Sequence, residues 1–133
     1  MKRIGLIIFV GFVLLCSAMY FYKKNNSKHY SLYRCALVAP AEHSAMDEII
    51  KGFVETVKAT VTDIDFVVFN GQGNKTLLHT QLESVVNSNF DIVFTIGATA
   101  SQLTAELLKK RNSLNIKHIF TAVDDPVTKG LVE

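Results

Sequence analysis

No aspartate or glutamate occurs before Glu42. The first 34 residues hold Lys2, Arg3, Lys23, Lys24, Lys28 and Arg34 and no acid, whereas all 12 carboxylates follow. With eight basic side chains against them, residues 42–133 carry a net charge of about −4. The overall balance of +2 therefore belongs to the N-terminal stretch. That argues against nucleic acid as a partner, which would need basic residues clustered on the folded part. Cysteine is scarce as well. Cys16 sits in an apolar run and Cys35 at the start of the next ordered stretch, so the two do not read as a disulfide pair. No CxxC and no Cys/His spacing suggests a metal, and His79 and His118 fall on different predicted elements from His43. Nothing in the chain assembles a nucleophile with a base, which disfavours an enzyme, and no cofactor is implied.

What is present begins with an apolar segment. Residues 4–22 contain no charge and are preceded by Lys2 and Arg3. Residues 1–18 have the parts of a signal peptide, with Cys16-Ser17-Ala18 as a cleavage site of small residues. Lipidation of Cys16 would want a small residue before it, where Leu15 stands. Left uncleaved, the same run makes a helix of about 28 Å, roughly the hydrocarbon thickness of a bilayer. Tyr20 and Tyr22 would then lie at the interface, followed by Lys23 and Lys24. Residues 1–22 are thus a signal peptide or a membrane anchor, and either implies a periplasmic or other extracytoplasmic location. Residues 23–33 (KKNNSKHYSLY) are polar and aperiodic and read as a linker.

From residue 34 the pattern changes. Residues 34–38 (RCALV) form a strand candidate ended by Pro40. Met46, Ile49, Ile50, Phe53, Val54, Val57 and Val61 mark one face of a helix. Residues 66–69 (FVVF) are a β-prone run before Asn70-Gly71. Leu78, Leu82, Val85 and Val86 mark a second helix, residues 92–96 (IVFTI) a third strand stopped by Gly97, and Ala100, Leu103 and Leu107 a third helix. Lys109, Lys110 and Arg111 close that helix with the charges its C-terminus favours. Residues 119–123 (IFTAV) are the fourth strand candidate. Apolar strands alternating with helices predict an α/β fold, a doubly wound parallel sheet covered on both faces and preceded by the apolar N-terminal helix. Ligands of such sheets gather at the carboxyl ends of the strands. Four loops meet that description, at residues 39–47, 70–75, 97–102 and 122–127.

Each loop has its candidate chemistry. The stretch Gly71-Gln72-Gly73-Asn74-Lys75-Thr76 fails as a phosphate-binding P-loop, because Asn74 separates the second glycine from the lysine and the glycines are too close. It reads instead as a turn feeding a helix. His43, beside Glu42, is a credible ligand-facing group and a poor general base. Thr99 and Ser101 open the third helix, where hydroxyls and free N–H groups suit a carboxylate or simply cap the helix. Asp124 and Asp125 could hold a cation or a ligand ammonium, or Asp125 could start a turn before Pro126.

These loops resemble those of the substrate-binding proteins of ABC importers, in the subgroup that includes tryptophan- and tyrosine-type binding proteins. The resemblance runs from about Tyr33 to Val132. Glu42-His43-Ser44-Ala45-Met46-Asp47 is similar to that family's "EHPALD" loop, Gly52-Phe53 to its first helix, and Asn70-Gly71-Gln72-Gly73 to its "NAQGD" turn. Phe90-Asp91-Ile92-Val93 precedes the third strand as in the family, and residues 119–127 (IFTAVDDPV) with Gly130-Leu131-Val132 match most closely. The resemblance implies ligand contacts from Glu42 or His43, carboxylate capture across Ala98, Thr99, Ala100 and Ser101, and a contact near Asp124 and Asp125. Relatives often read "TPAAQ" where this chain has Ala98-Thr99-Ala100-Ser101-Gln102, so Thr99 or Ser101 would have to supply the hydroxyl displaced from Ala98. Asp124 stands where threonine or serine is usual, which disfavours an anionic ligand group beside it.

The family folds as two lobes, and the resemblance implies that residues 34–133 correspond to the first, with the second expected to be absent. The expected function is solute capture for an ABC importer by a truncated member. Its expected partners are a small solute such as an aromatic amino acid, a membrane permease, and the membrane itself through the N-terminal segment. The alternative is a membrane-anchored periplasmic sensor or interaction domain without a transport role. One lobe offers half a cleft, so solute binding by it alone is expected to be weak or absent, and micromolar calorimetric binding of an aromatic amino acid would contradict that.

Overall fold

The stretch YRCALVA forms the first strand, β1 (Tyr33–Ala39), in which every residue from Cys35 to Ala39 is buried without alternation. Unbroken burial of this kind belongs to a central parallel strand covered on both faces. The computed structural model describes Ser17, residues 33–113 and residues 115–132. Apart from Ser17 and Tyr33, the expected signal or anchor and the linker lie outside the described residues. Among the described residues no helix is long and apolar enough to cross a membrane.

Three more strands follow, β2 (Ile64–Asn70), β3 (Ile92–Ile96) and β4 (Lys117–Thr121). They alternate with helices α1 (Ser44–Lys58), α2 (Lys75–Val86) and α3 (Ala98–Arg111). All strand pairs are parallel and the sheet order is β2-β1-β3-β4. The chain is an α/β doubly wound parallel sheet.

Register decides which side chains share a face. Leu37 lies opposite Val68 and Phe94, and Phe94 opposite Ile119. On that face Cys35, Leu37, Phe94 and Ile96 pack against Met46, Ile49, Ile50, Phe53 and Val54 of α1. Phe53 stacks on Phe94 with ring centroids 4.0 Å apart and meets Phe66 edge-on at 6.3 Å. On the other face Ala36, Val38 and Val93 meet Leu78, Leu82, Val85 and Val86 of α2 with Ala100 and Leu107 of α3. Leu37, Leu78 and Leu82 are at most 1% exposed. Full burial of a leucine stabilises by roughly 1.5–3 kcal/mol.

Several boundaries differ from those the periodicity predicts, and β2 extends the 66–69 run to Ile64–Asn70. β1 begins at Tyr33, where the chain was expected still to be linker. α1 begins at Ser44, two residues before Met46, because the His43 side chain caps it, and it ends at Lys58 with Val61 in the turn beyond. β4 runs from Lys117 to Thr121 and not over residues 119–123. Its ladder pairs Ile92 with Lys117 through Ile96 with Thr121, so it stops where β3 stops. Ala122 then takes φ 55° and turns the chain away.

Candidate functional site

In this strand order the chain leaves β1 toward β2 on one side, while β3 leads to β4 on the other. The crevice at such a reversal, outside the carboxyl ends of the two central strands, is where open α/β sheets bind ligands. Here it lies between residues 40–43, after β1, and Gly97 at the end of β3. A Cβ built on Gly97 would stand 3.9 Å from the Pro40 ring, so the two loops are neighbours.

The loops are tied to one another by backbone. Gly71 N donates to Ala39 O at 2.9 Å, Gly73 N to Pro40 O at 2.9 Å, and Gly97 N to Thr121 O at 2.9 Å. Gly71 is required by space, since a Cβ there would lie 2.8 Å from Pro40 O and 2.9 Å from Leu78 Cβ. Gly97 is required by conformation, at φ 81° and ψ 159°, a region essentially restricted to glycine.

Three helix N-termini open at this end, and they differ in how their donors are met. At α1, His43 Nδ1 accepts from Ala45 N at 3.2 Å. At α2, Asn74 Oδ1 accepts from Thr76 N at 2.9 Å and Leu77 N at 3.1 Å, which makes the glycine-rich stretch a turn feeding a capped helix. At α3 the N-cap is Gly97, which has no side chain to accept anything, and no side-chain cap bond is formed. The first-turn N–H groups of Ala98, Thr99 and Ala100 have no carbonyl four residues back within the helix, and the helix dipole adds partial positive charge there. Their arrangement suits an anion.

The expected site residues fall into three groups. Glu42, Thr99 and Asp124 are exposed at this end of the sheet, and Ala98 is half-buried. Ala100 is wholly buried and has only its N–H to give. His43 and Asp125 are exposed but engaged. The His43 ring caps α1, and Asp125 starts the last turn, its carboxylate accepting from Thr128 N at 3.1 Å and from Thr128 Oγ1 at 2.5 Å. Those two bonds hold the Asp125 carboxyl below its ordinary range. The expectation that Ser101 presents a hydroxyl to a ligand is corrected. Ser101 is 0% exposed, and its Oγ donates to Gly97 O at 2.8 Å and pairs with Thr95 Oγ1 at 2.9 Å. Thr99 is left as the outward hydroxyl of that turn.

Thr95 and His118 had no role in the sequence reading. Thr95 is fully buried and its Oγ1 lies 2.9 Å from His118 Nε2. Burial lowers the His118 pKa, so the ring is neutral at pH 7. The signal was a lone hydroxyl in the apolar run IVFTI, and a histidine on a strand beside it.

A concavity of about 660 Å³ lies at the opposite end of the sheet, lined by Arg34, Phe90, Asp91 and Asn112 among others. It receives the C-termini of α2 and α3, capped at Asn87 and Asn112, whose dipoles disfavour anions. Arg34, its cation, is already engaged. The guanidinium lies 4.5 Å over the Phe90 ring, with Nε 3.8 Å from Asp65. The switch-point crevice is therefore the better candidate for an anion. Among the described residues no three His, Cys, Asp or Glu side chains gather as a metal site.

A doubly wound α/β lobe whose strand-end loops meet at the switch point is the class that this fold defines. The sequence model of the family described as ABC transporter substrate binding protein matches residues 34–133, and the chain belongs to that family. Among its relatives is an uncharacterised protein of Rickettsia prowazekii (strain Madrid E), 28% identical over 98 residues, a match covering 74% of this chain and 32% of that one. Among solved structures, an ABC domain from Streptococcus pneumoniae in complex with L-Trp superposes with TM-score 0.65 at 22% identity, covering 74% of this chain and 32% of the other. A conserved domain protein of Vibrio cholerae O1 biovar El Tor superposes with TM-score 0.66 at 26% identity, covering 75% and 33%. The chain thus spans about a third of the length of these relatives.

Proposed function

We propose that the chain captures a small carboxylate-bearing solute, an amino acid, at the carboxyl ends of its strands, as the solute-binding component of an ABC importer. The observation that carries this reading is the uncapped N-terminus of α3 at the switch point, the one helix start of the three whose side-chain acceptor is missing. A carboxylate would accept from the N–H groups of Ala98, Thr99 and Ala100, and Thr99 would add its hydroxyl. Asp124, exposed and one turn beyond β4, carries the charge that suits an amino acid's ammonium. Glu42 and His43 border the same crevice after β1. The pneumococcal relative holds L-Trp, which supports an aromatic amino acid as the solute here. A membrane permease and an extracytoplasmic location follow from the importer reading, and the N-terminal apolar segment fits export or anchoring.

The described lobe supplies one wall of a cleft. Closure of a second wall over the solute contributes much of the affinity in hinged binding proteins. Binding by this lobe alone is therefore expected in the millimolar range, about −4 kcal/mol. Ligand-observed NMR with L-tryptophan, indole-3-propionate and tryptamine tests the assignment. The propionate, which keeps the carboxylate, should retain binding, and tryptamine, which lacks it, should lose it. Equal response to tryptamine and L-tryptophan would show that the carboxylate is not what is held.

A further inference from the structure

Hydroxyl hydrogens can be assigned in the Thr95–Ser101–His118 cluster by counting donors. Gly97 O is a carbonyl and can only accept, so the 2.8 Å contact consumes the hydrogen of Ser101 Oγ. With that hydrogen spent, the 2.9 Å pair between Ser101 Oγ and Thr95 Oγ1 requires Thr95 to donate. Thr95 then has no hydrogen left for His118, and the 2.9 Å contact at Nε2 requires the imidazole to donate. Only one direction satisfies all three bonds: His118 Nε2–H to Thr95, Thr95 O–H to Ser101, Ser101 O–H to the carbonyl of Gly97. Thr95 and Ser101 are 0% exposed, so water does not compete inside the chain.

The end of this chain is informative. Gly97 is the N-cap of α3, and its carbonyl also accepts the first intrahelical bond, from Ser101 N at 3.2 Å. Its backbone sits at φ 81° with no side chain to hold it. The helix start that lacks a side-chain cap is thus secured from below, by β3 and β4. We propose that His118 and Thr95, acting through Ser101, are positioning residues for the solute site: a directed three-donor relay that fixes the Gly97 carbonyl and thereby the orientation of the Ala98–Thr99–Ala100 N–H groups. This rests on the carboxylate-capture reading of those groups, but the relay itself does not.

The neutral imidazole of His118 carries its proton on Nε2, and a second proton adds at Nδ1. The relay therefore persists on both sides of the His118 titration. The charged groups that line the same depression as His118 are Lys109 of α3 and Lys117 of β4, with Asn112 and Ser113 between them. Phe120 borders the ring at 5.8 Å between centroids.

The test is heteronuclear NMR on the full-length chain, labelled with ¹⁵N and held in detergent micelles. The long-range ¹H–¹⁵N pattern of His118 should show the Nε2–H tautomer at pH 8, and an Nδ1–H tautomer overturns the relay outright, with no variant needed. In Thr95→Val, which keeps shape and removes the middle donor, the Ser101 amide should exchange with solvent about fivefold faster, the size of one net hydrogen bond. His118→Gln, which can still donate from its amide, should stay closer to wild type than His118→Phe. Equal exchange in wild type, Thr95→Val and His118→Phe would overturn the positioning role. If Thr95→Val does not fold, the His118 pair and the tautomer decide. Acetate is the binding probe. A wild-type chain whose Ala98–Ala100 amides ignore acetate refutes carboxylate capture while leaving the tautomer and exchange results to judge the relay.

Discussion

Replacing Gly97 by alanine isolates the backbone geometry of the proposed site from its packing. At φ 81° and ψ 159° an L-residue is strained by about 1–3 kcal/mol. The new methyl itself would meet nothing closer than the Pro40 ring at 3.9 Å, an ordinary contact, so no clash adds to the strain. Loss of unfolded-state freedom on Gly→Ala returns about 0.4–1 kcal/mol, leaving a net destabilisation of about 1.3 kcal/mol at mid-range and at most about 2.6 kcal/mol. With a urea m-value of about 1–3 kcal/mol/M for a domain of this size, the unfolding midpoint should fall by about 0.4–1.3 M. The measurement is urea unfolding of the full-length chain in mild detergent, followed by far-UV circular dichroism. Gly52→Ala is the control, on an exposed helical face with nothing within 4 Å of the added methyl, and it should stabilise by about 0.5–1 kcal/mol. A Gly97→Ala midpoint equal to or above that of wild type would refute the claim that the start of α3 depends on a glycine-only conformation.

Gly71→Ala makes the complementary test, clash without strain. The methyl would press on the Pro40 carbonyl and Leu78 Cβ, neither of which is the free end of a side chain, and unfolding should be easier by about 1–3 kcal/mol. The His118 pKa lies below its ordinary value of 6.5 in the folded chain because of burial, so the unfolded chain binds the proton first. Stability should thus be full above pH 6.5 and decline as pH falls from there through the folded-state pKa. Urea midpoints from pH 8 to 5 check this, and a His118→Gln variant with the same decline would show that another group causes it. Cys35, wholly buried with its thiol pushed up to about 11, should resist a thiol reagent at pH 8 in a Cys16→Ser background and react at once in denaturant. Labelling of the native protein as fast as of the denatured one would show that β1 is not covered on both faces.

Apolar runs and their spacing were enough to read the α/β alternation, because strands covered on both faces and helices with one apolar stripe are what burial selects. The strand order, which places the switch point between β1 and β3, came only with the register. The fourth strand is harder to place for a related reason. Lys117 opens it with a charged side chain at the sheet edge, so the apolar run 119–123 is displaced by two residues from the paired ladder. The site was read less well than the fold. Periodicity marked Ala100, Leu103 and Leu107 as the buried stripe of α3, but the stripe also contains Ser101 and Thr104. Both satisfy their hydroxyls inside the protein, on Gly97 O and on Ala100 O at 2.8 Å, and hydrophobic pattern is blind to polar groups buried in this way. The proline after Asp125 left a turn start and an ammonium contact equally open, and its carboxylate accepts from Thr128 at the head of the last turn.

The central claim is that the start of α3, and not the capped starts of α1 and α2, receives a carboxylate. Residue-resolved titration of the ¹⁵N-labelled chain with L-tryptophan tests it most directly. The account predicts saturable shifts at the amides of Ala98, Thr99 and Ala100 with a millimolar midpoint, and none at Thr76 and Leu77, whose N–H groups Asn74 already holds. Shifts at Thr76 and Leu77 without any at Ala98–Ala100, or shifts confined to the lining of the Arg34 depression, would contradict it.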